Sequence, residues 1–249
     1  MKKSACLLLL LLIHACPALS AGDQSLPTEG EITCDYPVEQ VPELIQQGQS
    51  ARAIKDILQP AIDQLHAAQK TNKQQFYCSR TDTETLLYLL GVAAGKPVRP
   101  TDKDSACIVD YHFALALYYY GYIEAAKGDN AQAVNYLNQA LALSPMNAMF
   151  LSELGYVYTK EGQMQQALEI LQQAEEAADG FSPEALKLSE KTRAMRMQGY
   201  IYIEQRQFDK ARAIYRQCLA LNPQDRQAQN ELDYIDQMLK RSPKPASAK

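Results

Sequence analysis

Residues 151–174 read LSELGYVYTKEGQMQQALEILQQA. Residues 117–140, offset by 34 positions, read LYYYGYIEAAKGDNAQAVNYLNQA, and residues 195–218, offset by 44, read MRMQGYIYIEQRQFDKARAIYRQC. Each stretch opens on a bulky apolar residue (Leu117, Leu151, Met195) and carries a Gly-Tyr pair at its fifth position: Gly121-Tyr122, Gly155-Tyr156 and Gly199-Tyr200. Twelve residues past the glycine stand Ala133, Ala167 and Ala211; sixteen past it stand Leu137, Leu171 and Tyr215; nineteen past it stand Ala140, Ala174 and Cys218. Pro145 and Pro223 stand 24 residues past the first and third glycines, whereas the second copy has no proline there and ten more residues enter before the third. Self-similarity at this period means a stack of small supersecondary units, each needing its neighbours to bury an apolar face.

The local chemistry agrees with paired helices. A mid-helix glycine costs about 1 kcal/mol relative to alanine, which is acceptable where another helix must approach closely. Ala133, Ala167 and Ala211 are the small residues expected to face those glycines. Gly128 and Gly162 fall between the paired helices, as caps or turns, and Pro145 and Pro223 stop the second helix of their copies. Upstream the pattern fades. Gly48 followed by Ala53 repeats the spacing of Gly128 and Ala133, and 51–69 reads as a helix with Ile54, Leu58, Ile62 and Leu65 on one face. Thr81-Asp82-Thr83-Glu84 is a capping box. A polar loop over 95–104 should lead into a long helix over about 105–127. Ser182-Pro183-Glu184 reads as a cap followed by a first-turn proline, opening a helix over about 183–205. Residues 226–239 place Leu232, Ile235 and Leu239 on one stripe, as a closing helix would.

These positions resemble the tetratricopeptide repeat, a helix-turn-helix family of 34-residue units. Tyr158 and Tyr202 match its tyrosine position, where the first copy has Glu124. The resemblance implies an all-α, right-handed superhelical stack: a degenerate helical part over 22–100 that includes an incomplete repeat, three repeats with a capping helix over 101–240, and a disordered tail over 241–249. It also implies a protein-interaction scaffold whose inner helices line a concave groove. In the family the residue after the glycine points into that groove, which here selects Tyr122, Tyr156 and Tyr200, with Tyr118, Ser152, Lys160, Arg193 and Arg196 joining them by register. Two arrangements fit the tyrosines: a ladder that stacks on a peptide or a sugar, because tyrosine offers large area at low entropy cost, or rings packed between adjacent helices. Arg193 and Arg196 read either as a bidentate carboxylate grip or as a solvated basic face. The members of the family that clamp acidic C-termini carry Asn where this chain has its tyrosines, so that mode is not indicated.

Composition bounds the remaining choices. The chain has 249 residues and a formal charge of −4, which gives a nucleic-acid-binding surface no electrostatic support. Residues 1–21 read as a secretory signal: Lys2 and Lys3, then the leucine run 7–12, then Ala18-Leu19-Ser20-Ala21 for cleavage. Its apolar run is too short to span a bilayer, and no later stretch approaches that length. Export across a bacterial inner membrane to the periplasm follows as the expectation, with a lipid anchor at Cys16 as a weaker variant because His14 and Pro17 distort the pattern. Four cysteines then remain. Cys218 occupies an alanine slot of the third repeat and reads as a buried free thiol. Cys34, Cys78 and Cys107 are disulfide candidates, with Cys34–Cys78 favoured and Cys78–Cys107 the rival. His66 and His112 lie apart, and no nucleophile elbow, phosphate loop or metal-ligand spacing occurs, so neither an enzyme, a cofactor nor a metal is expected. The functional readings are therefore an adaptor that binds a protein or peptide, a structural or lipid-anchored part of an envelope assembly, and a glycan or small-ligand binder.

Overall fold

An incomplete hairpin opens the described part of the chain. The computed structural model describes residues 32–99 and 102–241. After a 3₁₀ turn at Val38–Gln40, helix α1 (Val41–Gln46) ends at Gly48, which has φ +72° and so takes the left-handed turn conformation that glycine adopts without penalty. Helix α2 (Ser50–Ala53) runs without a break through a π turn (Ile54–Leu58) into α3 (Gln59–Thr71). The wide turn lies just before Pro60, which has no N–H and crowds the carbonyl one turn earlier. It rotates Ile57 inward beside Leu58, Ile62 and Leu65, all buried, and leaves Ile54 only half-buried.

Two short strands were not visible in the sequence pattern. β1 (Gln75–Tyr77) pairs in parallel with β2 (Ala106–Ile108), flanking helix α4 (Asp82–Ala93), with Phe76 opposite Cys107. This small sheet is stitched to the repeats: Cys78 N–H donates to the Leu143 carbonyl at 2.7 Å, and the Ser144 hydroxyl donates to the Cys78 carbonyl at 2.6 Å. The long helix expected over 105–127 therefore starts only at Tyr111, because residues 106–108 are spent on the strand. Asp110 sets the new start, accepting from His112 N–H at 2.9 Å as a helix cap.

Three helix hairpins follow: α5 (Tyr111–Lys127) with α6 (Asn130–Leu143), α7 (Ala148–Lys160) with α8 (Met164–Phe181), and α9 (Glu184–Glu204) with α10 (Phe208–Leu221). Helix α11 (Arg226–Arg241) packs on α10 and buries Ala228 and Ile235, while Leu239 stays exposed. The expected start signal at Ser182 is not used as a cap: its hydroxyl donates to Glu190 instead, and α9 begins after Pro183. The residues expected at 242–249 and at 1–21, with Cys16, lie outside the described residues.

The conserved register of the copies has a steric cause, though not the one expected. A Cβ on Gly121, Gly155 or Gly199 would lie 2.9, 2.7 or 2.6 Å from the side chain of Leu137, Leu171 or Tyr215 respectively. The large residue sixteen positions on occupies the space each glycine leaves, and only at Gly121 does the alanine twelve on also come close, its carbonyl 3.1 Å from the Cβ position. Ala133, Ala167 and Ala211 are nevertheless fully buried, as are Ala140, Ala174 and Cys218, about two turns further along the second helices. The ten extra residues of the second copy are also accounted for. Helix α8 has 18 residues against 14 in α6, and α9 has 21 against 13 in α7, while the connection at 182–183 is two residues shorter than that at 144–147.

Candidate functional site

Helices α7, α9 and α11 present one face each to a cleft of about 870 Å³. Its lining follows helical spacing: Glu153, Tyr156 and Lys160 from α7, Arg193, Arg196, Tyr200 and Glu204 from α9, and Gln227, Asn230 and Glu231 from α11. Residues three or four apart share a face, so each helix contributes a continuous stripe. Tyr122 of α5 also lines the cleft, and Met164, Met197 and Tyr215 add apolar surface.

Six of the eight groove residues selected by register meet here: Tyr122, Tyr156, Lys160, Arg193, Arg196 and Tyr200. The three tyrosines are 38%, 43% and 47% exposed. They stand at one outward register and are not packed between helices. Tyr118 and Ser152 are corrections. Tyr118 is buried beneath Tyr122, stacked on Phe150 with ring centroids 5.0 Å apart, because its position in α5 faces the start of α7. Ser152 is fully buried, and its hydroxyl has no hydrogen-bond partner among the described residues.

The cations of the cleft are already engaged. Arg193 donates to the buried Glu153 carboxylate at 2.5 Å, and Arg196 to the buried Asp225 carboxylate at 2.6 Å. Burial pulls down the Arg193 pKa, but Tyr118 and Glu153 more than offset it and hold the guanidinium charged. The Lys160 ammonium donates to the Ala125 carbonyl at 2.9 Å and lies 5.6 Å from the Tyr156 ring centre. Neither alternative drawn for the arginines is what the structure shows: they form internal ion pairs. Their partners lie 40 and 29 positions away, a relation no local spacing reveals. Glu153 and Glu204 had a local signal, standing three before Tyr156 and four after Tyr200. The α11 residues had none, since that helix reads only as an amphipathic cap.

Both expected disulfide pairings are absent, because Cys34 and Cys78 are free. The Cys78 thiol donates to the Asp110 carbonyl at 3.2 Å, and the Cys34 thiol turns toward the Tyr36 carbonyl at 3.8 Å. Cys107 is disulfide-bonded, but to neither of them. Cys218 is a buried free thiol whose pKa burial pushes up to about 11, so it is unreactive at neutral pH. Among the described residues no helix is long and apolar enough to cross a membrane.

Comparison with known proteins agrees with the hairpin geometry. The chain matches the tetratricopeptide repeat over residues 124–192 and again over 192–225. Residues 124–225 are therefore tetratricopeptide repeats. No curated protein matches the chain by sequence. Among solved structures, PilF of Pseudomonas aeruginosa is similar over 82% of this chain and 67% of its own, at 15% identity and TM-score 0.53. The first tetratricopeptide domain of human RPAP3 is similar over 52% of this chain and 94% of its own, at 21% identity and TM-score 0.45. The Sgt2 domain of Aspergillus fumigatus is similar over 55% and 87%, at 17% identity and TM-score 0.44. At 15% identity the likeness to PilF is one of fold. Within the repeats, Tyr122, Tyr156 and Tyr200 are the equivalent residues of three successive inner helices.

Proposed function

We propose that this tetratricopeptide repeat chain is an interaction scaffold, holding an extended segment of a partner protein in the cleft between α7, α9 and α11. One observation carries the reading: the same residue, tyrosine, stands half-exposed at the equivalent position of three stacked hairpins. A repeated aromatic edge with a polar hydroxyl suits a peptide backbone, which offers apolar and hydrogen-bonding groups at regular intervals. Stacked repeats supply such surfaces rather than reactive groups. Residues 1–21 support export to the periplasm as the place where that partner is met.

A photo-crosslinking residue at Tyr156 in the full chain tests the cleft. Cross-links to an extended segment of one partner are expected, and they should vanish when Tyr122 and Tyr200 are both replaced by alanine. An unchanged cross-link pattern in that variant overturns the cleft as the binding surface. Intact mass of the exported chain tests the location: loss of about the first twenty residues is expected, and a diacylglyceryl group on Cys16 overturns the freely diffusing form.

A further inference from the structure

The charges of the cleft are unevenly committed. Arg193 and Arg196 are paired with buried carboxylates, whereas Lys160 donates to a backbone carbonyl and keeps its charge over the Tyr156 ring. Glu204, at the end of α9, and Glu231, on α11, make no ion pair among the described residues. These two carboxylates share one end of the cleft with two of the exposed rings. Tyr200 feels Glu204, Glu231 and Tyr156 together: its pKa is raised first by burial, then by Glu204, then by Glu231 and Tyr156. Burial also pushes the Glu231 carboxyl above its ordinary range. An occupant of this end therefore meets two aromatic faces and two unneutralised acids.

We infer that this end of the cleft, between Tyr156, Tyr200, Glu204 and Glu231, takes a lysine or arginine side chain presented by an extended segment of the partner. The inference rests on the scaffold reading and names the chemistry of its occupant. A basic side chain satisfies both features at once, its cationic head lying over the exposed Tyr200 face, since Lys160 already lies over Tyr156, and pairing with the carboxylates. An acidic or carboxylate-terminated segment meets like charge at this end, and both arginines are already paired with carboxylates. A metal ion is a poorer fit, because no group of three or more His, Cys, Asp or Glu among the described residues is placed to hold one.

A phage-displayed random dodecapeptide library, panned against the full chain, tests this. The bound pool should be enriched in lysine and arginine over the input. The best synthetic peptide should lose at least about tenfold in affinity, by fluorescence anisotropy, when its basic residue becomes glutamine, and likewise against Glu204→Gln/Glu231→Gln, as expected when one desolvated charge pair is broken. A pool without basic enrichment, or a peptide indifferent to the glutamate replacements, overturns the basic-residue inference. In that case loss of capture by Tyr122→Ala/Tyr156→Ala/Tyr200→Ala leaves the scaffold reading standing. A peptide bound equally by that tyrosine variant overturns the cleft itself. An empty pool, or self-association of the chain in place of peptide capture, overturns both.

Discussion

Arg206 shows how the copies differ where their helices turn. The equivalent turn residues of the first two repeats are Gly128 and Gly162, with φ of +88° and +75°. The third repeat places Arg206 there, at φ +58°, the only described non-glycine residue with positive φ. An L-residue in this conformation costs about 1–2 kcal/mol through contact of its Cβ with the backbone. Glycine removes that contact but adds freedom to the unfolded chain. Arg206→Gly is therefore expected to stabilise the protein by about 0.5–1 kcal/mol. Urea denaturation measures it, and an unchanged or lower midpoint would refute the strain. The alignment of copies shows which residue is out of place, since seven positions past Gly199 the pattern asks for glycine. By contrast, the burial of Tyr118 was hidden. Its register points inward as much as toward the groove, and only the stacking on Phe150 decides between them.

Elements joined by the repeat code were legible, and so were the amphipathic helices around it (51–69, the capped helix after Thr81, and 226–239); the strands were not. All three hairpins follow from the Gly-Tyr register, because a 3.6-residue period sustained over two helices leaves one consistent packing. The paired strands escaped because three residues are too few to establish an alternation. The late start of α5 escaped with them. Long-range ion pairs escaped for another reason, since Arg193 and Arg196 look like any exposed arginines until the partner helix is in place. The close packing itself yields a test. In Gly155→Ala the new methyl would sit 2.7 Å from two carbons of Leu171, and overpacking of this kind costs about 1–3 kcal/mol. Shrinking the neighbour in Gly155→Ala/Leu171→Ala should recover part of the penalty, so the two changes should be less than additive. Strict additivity in a double-mutant cycle would show that the contact does not set the helix spacing.

Across the whole molecule, one buried contact joins the helical N-terminal part to the last repeats. Arg80, just before α4, holds Glu190 of α9 at 2.8 Å, with both side chains under a tenth exposed and 110 positions of chain between them. Glu84 accepts from Arg80 N–H at 2.5 Å, and the Thr81 hydroxyl reaches the Phe181 carbonyl at 3.4 Å. The lengthened end of α9 is what brings Glu190 to this point. Without Glu190, Arg80 keeps only its longer 3.6 Å ion pair with the buried Glu84 carboxylate, and breaking a buried pair costs about 3–5 kcal/mol. Glu190→Ala is accordingly expected to lower stability by about 3 kcal/mol and to deprotect α4 and the first turns of α9 in hydrogen exchange. Exchange limited to local fraying of α9 would contradict the tie.

That tie bears on how the protein can evolve. Arrays of equal units ordinarily gain or lose a unit by duplication or deletion, because each unit touches only its neighbours. Here a unit added or removed between Arg80 and Glu190 would carry the two partners apart and leave Glu190 without its buried cation, Arg80 keeping only Glu84. The number of repeats between them is thereby fixed, and growth of the array is open only beyond α10, where duplication leaves the buried pair untouched.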